Sequence, residues 1–404
     1  MADDKHDSIT QLAQIEERIL KTYQVISCQN LFSPENSFLY ERCKGRKILI
    51  ISGPTVSKLY GQKIQAYFNY FFPLQGHVNF LQIKTGEENK NLHTVQEICK
   101  AAQDYKIDRQ GIFIAIGGGI VLDTVGLAAS IYKKSVDYIK INTTLVAQVD
   151  VGVGIKAAVN FHESKNEIGT YKFPLLSIND PSFLKTLNDR EIRCGLSEMI
   201  KMGIILNRQL FEMLEQRFQN IMQHKFDLSK MKQIDCDIIS DSITGMAAQL
   251  RPNLYETDTK RLVDFGHTLS PQIEMTSVYR YKHGEAVAID MAISSRIAYL
   301  LGKLGLEAFE RIIGLLTNIG LPIFDAEICT FDNLWMGVEK TIIRKNGDFN
   351  LVIPLDIGHA SFIFSISDFD PAILRQAIAD MNIISNCKLT LASKYEKRAC
   401  HLGR

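Results

Sequence analysis

The sequence predicts an α/β protein in two parts, a parallel sheet flanked by helices and then an all-helical part. Three observations predict it. From Lys47 onward, short apolar strand-like runs alternate with helical stretches. After about residue 182 the alternation stops and long amphipathic stretches take over. Between a strand-like and a helix-like run stands a triple glycine, Gly117 to Gly119, in IAIGGGIVLDTVG (114–126). At 404 residues the chain exceeds one ordinary domain, so two are expected.

Residues 1–45 read as a helical or loose N-terminal extension with no chemistry in it. KILIIS is then a strand, Val56–Tyr70 a helix, VNFLQI a strand, 93–105 a helix and GIFIAI a strand. A helix starts at Gly119, and another strand ends at Thr143 and Thr144. This order predicts parallel βαβ units. The stretches 189–217, 228–250, 284–303 and 307–319 carry helical periodicity. The expected boundaries are an extension over 1–45, a nucleotide-binding α/β domain over 46–182, a helical metal and substrate domain over 183–386, and a basic tail over 387–404. The site is expected in the cleft between the two domains.

Hydrophobic residues make up 46% and charged residues 23% of the chain, which suits a globular protein with ample core. A formal net charge of +1 gives no reason to expect nucleic acid or a membrane surface as partner. No apolar run approaches the roughly 20 residues of a spanning helix. The start, MADDKHDSITQLAQIEERIL, lacks the pattern of a signal peptide. Eight cysteines are scattered without a CxxC pair, so reduced thiols in a cytoplasmic protein are expected. Cys194 reads as a small buried residue.

The glycine turn lets backbone amides at a helix's positive end approach a dinucleotide pyrophosphate. Asp123 in the following helix, TGEENK (85–90) and Thr143–Thr144 fall at carboxyl ends of strands, where parallel sheets bind ligands. CGLSEMIKMG (194–203) places Glu198 and Lys201 on one helix face. They form a buried ion pair, or Glu198 is one arm of a metal site. His267 in DFGHTLSP and His283 in YKHGEAVAIDM supply two imidazoles at helix entries. Two nitrogens and one oxygen, with positions left open, describe a catalytic metal site. A nicotinamide cofactor beside such a Lewis acid implies oxidation of an alcohol. In QVDVGVGIKAAVNFHESKNEIG (148–169), Lys156, Lys165 and Asn166 join Lys201 as an oxyanion cradle. His162 reads as a loop residue, and Lys172 and Lys185 as solvated charges.

With NTTLVAQVD, VGIK, SKNEIG and DPSFLKTLNDREIRCGLSEMIK, these phrases stand in the order found in the sugar-phosphate cyclases, the dehydroquinate-synthase-like family. The chain resembles that family from about Lys47 to Phe364. The resemblance implies a Rossmann-like NAD domain followed by a helical metal-binding domain. It also implies NAD, a divalent metal (zinc or cobalt), a small sugar-phosphate substrate and a homodimer. Glu198, His267 and His283 match the family's metal ligands. Glu87, Lys90, Gly118, Gly119, Asp123, Thr143, Thr144, Thr186 and Glu191 match positions around NAD, and Lys165 reaches the same region. Asp150, Lys156, Lys165, Asn166 and Lys201 match the substrate pocket.

Lys134 and Lys260 stand where the family usually has phosphate-contacting arginines, and the resemblance implies that the first is contributed across a dimer. Both keep the charge and lose the planar fork. Ser52 replaces an acidic residue that often follows the first strand. Asp264, Pro271, Met246 and His359 depart from the dehydroquinate synthases and remove partners for a substrate carboxylate. Asp264, Pro271, His359 and PNLYE instead resemble the 2-epi-5-epi-valiolone synthases. That branch implies cyclisation of sedoheptulose 7-phosphate by transient oxidation, β-elimination of phosphate, reduction and aldol closure, with Asp264 and His359 selecting among hydroxyls. Desmethyl-4-deoxygadusol or 2-epi-valiolone synthase ranks second, followed by 3-dehydroquinate synthase and a metal-dependent polyol dehydrogenase.

Overall fold

A computed structural model describes residues 21–73, 76–162, 164–227 and 229–401, with backbone alone for residues 233, 234, 236 and those from 388 onward. The chain opens with strand β1 (Gln24–Ser27) and helix α1 (Phe38–Cys43). It continues through β2 (Ile48–Ser52), α2 (Pro54–Phe71), β3 (Val78–Gln82), α3 (Leu92–Asp104), β4 (Ile112–Gly117), α4 (Gly119–Ile131) and β5 (Asp137–Asn142). A hairpin of β6 (Lys156–Phe161) and β7 (Ser164–Tyr171) precedes β8 (Leu176–Asn179).

Six of these strands form one parallel sheet in the order β1-β8-β5-β4-β2-β3. Strand β2 leads to β3 on one side, and the chain then returns to lay β4 on the other. The strand order therefore reverses between β2 and β4, and the glycine turn sits at the carboxyl end of β4, where such a reversal opens a crevice. Near-continuous runs such as ILIIS and IFIAIG are buried on both faces, as parallel strands between helical layers must be. Leu49, Phe113 and Val125 anchor the core on one face, and Ile50, Ile114 and Tyr67 that on the other.

The helical part comprises α5 (Asp189–Ile205), α6 (Arg208–His224), α7 (Gln233–Leu250), α8 (Ser270–Thr276), α9 (His283–Leu300), α10 (Leu306–Ile319) and α11 (Phe331–Arg344). A short antiparallel hairpin follows, β9 (Leu351–Asp356) with β10 (His359–Ile363), and then α12 (Pro371–His401). Among the described residues, the hairpin is the one departure from all-helical structure here. The expected helix over 189–217 is two, because the Asn207 side chain accepts the Leu210 N–H and starts α6 afresh.

The extension is not wholly loose or helical. Residues 24–27 pair in parallel with β8, and the Tyr23 hydroxyl donates to the Val153 carbonyl. Residues 1–20 of that segment lie outside the described residues. Among the described residues no helix is long and apolar enough to cross a membrane. Cys28, Cys43, Cys99, Cys194, Cys329 and Cys387 are free thiols.

Two glycines bring the halves of the helical part together. A Cβ on Gly284, the second residue of α9, would lie 2.3 Å from the Cys194 carbonyl oxygen of α5. Only a bare backbone lets the two helices approach so closely, which sets the residue before it, His283, beside α5. Gly266 has φ +75°, left-handed backbone that turns the chain into His267. Replacing Gly284 with alanine should therefore cost stability by about 1–3 kcal/mol through overpacking against backbone that cannot rotate away. Urea unfolding checks this, and a variant as stable as the parent would contradict the packing argument.

Candidate active site

Glu198, near the middle of α5, is buried with both carboxylate oxygens lacking an aligned hydrogen-bond donor. The Lys201 ammonium nevertheless lies 2.6 Å from Oε2, and His283 Nε2 lies 3.3 Å from Oε1. Burial alone would raise the Glu198 pKa. The Lys201 charge, the nearby His283 and His267 outweigh it and hold the carboxyl well below its ordinary value. Lys201 shows the converse: burial opposes its charge, but Glu198 and Asp150 keep its pKa raised.

The two imidazoles are 5.2 Å apart between ring centres. His267 Nδ1 is 3.0 Å from the Phe265 carbonyl, which leaves Nε2 free to face a ligand. Burial, reinforced by the Lys201 charge, lowers its pKa to about 3, so it is a neutral donor. His283 Nδ1 is 3.0 Å from Glu274 Oε1. Burial opposes charge on His283, yet Glu274 and Glu198 on either side raise it to about 10. The site thus demands positive charge between two carboxylates.

Ligand atoms of Glu198, His267 and His283 all lie within 4.8 Å of one another. That is close enough for donors that bind zinc at about 2.0–2.2 Å to converge on one ion. Open Glu198 oxygens, a free His267 Nε2 and a carboxylate behind His283 fit a divalent cation held by two nitrogens and one oxygen, with Glu274 orienting the second imidazole.

A chain of charged contacts leads from here to the glycine turn. Glu274 pairs with Lys165, which also lies 3.5 Å from Glu87. The neighbouring Asn166 accepts from Lys90 at 2.6 Å, and Lys90 also pairs with Asp123 of α4 at 2.6 Å. Burial would raise the Glu274 pKa, but Lys165 and His283 bring it down to about 2. Gly118 caps α4 without any side-chain hydrogen bond, so the first amides of that helix face outward. Thr143 donates its N–H to Gly117, and the Thr144 side chain packs on Gly118. Thr186 shares a hydrogen bond of 2.7 Å with Tyr60, and Glu191 pairs with Lys282 at the start of α5. Gly118 and Gly119 thus share one rim of the sheet with Thr143 and Thr144, while Glu87, Lys90, Asp123, Lys165 and Asn166 form one contact network beside it.

Asp150 lies in a π-helical turn (Ala147–Val151), and burial raises its pKa against the pull of Lys201. The next residues are held by the wholly buried Lys140, which donates to the Val151 carbonyl at 3.0 Å and the Gly154 carbonyl at 2.8 Å. Lys156 is half exposed and pairs with Glu256 at 2.5 Å. Glu256 also binds Arg261, which lies 3.3 Å from Asp264; Lys345 lies 3.0 Å from the other Asp264 oxygen. Burial opposes the Asp264 charge, but Arg261 and Lys345 lower its pKa to about 2.

Three expected residues are not brought to this cluster within one chain. Lys134 follows the far end of α4, which runs back along the sheet, so it is exposed at the edge opposite the glycine turn. Lys260 is exposed with its ammonium over the Phe364 ring at 5.6 Å; its neighbour Arg261 is the guanidinium that enters the site. His359 opens β10 on an exposed turn beside the end of α5, where the Gly358 amide binds the Ile204 carbonyl. Among the described residues, no hydrogen bond or ion pair joins it to the three ligands. Glu274, Glu256, Arg261, Lys345 and Lys140 escaped sequence reasoning. For Glu274 the available signal is a lone carboxylate in the apolar phrase PQIEM.

A family model described as 3-dehydroquinate synthase N-terminal matches residues 80–194, and one described as 3-dehydroquinate synthase C-terminal matches residues 195–338. The chain is 42% identical to a 2-epi-5-epi-valiolone synthase of Streptomyces glaucescens, over 88% of this chain and 90% of that protein. It belongs to the dehydroquinate-synthase-like sugar-phosphate cyclases. A demethyl-4-deoxygadusol synthase of Trichormus variabilis is 32% identical, over 89% of this chain and 87% of the relative. Among solved structures, the 2-epi-5-epi-valiolone synthase of Streptomyces hygroscopicus subsp. jinggangensis 5008, with NAD+ and Zn2+ bound, superposes with a TM-score of 0.85 at 31% identity. The match covers 92% of this chain and 99% of that one. Family membership agrees with the cation-demanding triad and the outward-facing amides of α4.

The Glu274 contact yields a direct test. Glu274→Gln should weaken metal binding by about 10- to 100-fold, because His283 loses the carboxylate that orients it. Chelator competition reads the affinity, and an unchanged value would remove Glu274 from that role.

Proposed function

We propose that this cyclase converts sedoheptulose 7-phosphate to 2-epi-5-epi-valiolone and inorganic phosphate, working as a homodimer. The observation that carries the reading is Asp264, a buried carboxylate held between Arg261 and Lys345 beside the triad. It spends those two cations on a protein carboxylate, where an acidic substrate would need them free. A substrate end bearing hydroxyls instead of a carboxylate suits such a surface, and similarity to valiolone synthases supports the same choice.

Glu198, His267 and His283 would hold a divalent metal, zinc or cobalt. Gly118, Gly119, Thr143, Thr144, Asp123, Lys90, Glu87, Thr186 and Glu191 would hold NAD, with Lys165 at the border of the two sites. When bound, NAD supplies reversible oxidation of one substrate hydroxyl and the metal supplies Lewis acidity toward vicinal hydroxyls.

This chain's residues do the rest. Lys201, buried and held cationic, stabilises negative charge on the hydroxyl oxygen whose carbon is oxidised and later reduced. Lys156, at the half-exposed mouth, meets the phosphate as a point charge and steadies it as it departs by β-elimination. A phosphate oxygen takes the proton from the carbon next to the transient ketone. Asp150 and Asp264 accept hydrogen bonds from substrate hydroxyls and so fix which one is oxidised. Asn166 spans the cofactor and substrate sides. After reduction and ring opening, the residues of the site hold the enol and ketone together for aldol closure, so no net redox change remains. Lys134 would reach a phosphate only from the partner of a dimer, and His359 would select hydroxyls only if its turn folds inward.

Incubation with sedoheptulose 7-phosphate, NAD and a divalent metal should release phosphate without accumulating NADH. Steady NADH formation without phosphate would instead identify a polyol dehydrogenase, and preference for the acidic heptulosonate phosphate would identify a dehydroquinate synthase. Mass and NMR analysis of the product separates valiolone from deoxygadusol chemistry. Lys201→Met should lower kcat by about 100- to 1,000-fold, the usual loss for one charge-stabilising donor. A near-normal kcat would contradict its role.

A further inference from the structure

His267 and His283 come from different elements, and something must fix the distance between them. His283 begins α9, whose start is pressed on α5 at Gly284. His267 stands in an irregular turn between Asp264 and α8, and a turn of that kind has no ladder of its own to hold it. Its amide bonds the Asp264 carbonyl, its ring bonds Phe265, and Gly266 before it is left-handed. These contacts are local and would move with the turn. From α11, Arg344 donates to the His267 carbonyl at 3.3 Å and the Thr341 hydroxyl to the Thr268 carbonyl at 3.1 Å, so α11 holds the turn's carbonyls.

One side chain of α9, the helix that carries His283, holds the turn's amides. Asp290, two helical turns after His283, is wholly buried. Its Oδ2 accepts the Leu269 amide at 2.6 Å and the Ser270 amide at 3.0 Å, while Oδ1 accepts the Ser294 hydroxyl at 2.9 Å. A buried carboxylate is costly unless its oxygens are satisfied in this way, so the geometry is strongly specified. The two amides are the second and third after His267, at the entry to α8, and they are donors that helix leaves unpaired. Four residues after Ser270 on the same helix comes Glu274, the carboxylate behind His283.

We infer that Asp290 is a positioning residue of the metal centre: by binding the Leu269 and Ser270 amides to α9, it sets the separation of His267 from His283 and the placement of Glu274. Among the described residues it makes no hydrogen bond or ion pair with Glu198, His267 or His283, and it acts through the turn it holds. The inference rests on the metal-site reading given above.

The test uses the full chain loaded with Co2+ and, separately, Zn2+. Asp290→Asn keeps the shape but turns an N–H2 group or a weaker carbonyl toward the two amides. Metal affinity by chelator competition should fall by at least about tenfold. The visible absorption of bound Co2+, which reports ligand geometry, should shift, while NAD affinity changes less than twofold. Parent-like affinity and an unaltered cobalt spectrum in a folded Asp290→Asn variant would overturn the inference. Should that variant fail to fold, Ser294→Ala removes one donor to the same carboxylate and leaves the amides. A cobalt spectrum shifted from the parent's then supports the inference, and an identical one overturns it. A parent enzyme that binds neither metal would refute the metal-site reading itself, an outcome distinct from a parent that binds metal and a variant that binds it equally well.

Discussion

A carboxylate buried in the middle of a helix, with neither oxygen properly hydrogen-bonded, is the constraint on which this fold turns. Taking such a charge out of water costs several kcal/mol, and α5 could not carry Glu198 there without cations arranged around it. Lys201 supplies one on the same helix face. The two imidazoles are brought from elsewhere, which requires α9 to approach α5 to backbone contact and a turn to place His267 above them. The packing of the helical part therefore serves the electrostatics of a single residue.

The same charge logic joins the halves of the molecule. Lys165 comes from the β6–β7 hairpin and Glu274 from α8, and their ion pair ties the hairpin to His283 and so to Glu198 and His267. On its other side the hairpin reaches Lys90 and Asp123, hence the helix that begins at the glycine turn. The glycine turn and the Glu198, His267 and His283 cluster are consequently not independent. They are linked by two sets of ion pairs, Glu274–Lys165–Glu87 and Lys90–Asp123, bridged by the neutral Asn166 side chain that accepts from Lys90. The pairs are mostly shielded from water, where they are weakly screened.

Much of this was legible from residues alone, and the reasons are physical. Alternating apolar runs from Lys47 to Gly119 have lengths and periods that only βαβ units satisfy, and each forms its expected strand or helix. Glu198, His267 and His283 could be read because their residue types are costly in apolar surroundings. What stayed hidden depends on tertiary partners. β1 and β8 are four-residue strands too short to show a period. The β6–β7 hairpin lies in a stretch whose lysines and glycines suggest a loop. Arg261 was overshadowed by Lys260, since adjacent loop residues point in opposite directions and sequence does not say which points inward. Glu274 and Asp290 look like ordinary helix carboxylates until the amides, ammonium and imidazole facing them are in place.

Strand β1 has a consequence for how the chain is handled. It covers one side of β8, whose backbone groups would otherwise form an open parallel edge, and Tyr23 beside it reaches the loop that leads from Asp150 to β6. An expression boundary drawn at Lys47, where the regular alternation starts, would strip that cover. The shortened protein would expose a sticky sheet margin and invite self-association. Trimming for crystallisation or tagging is safer upstream of Tyr23.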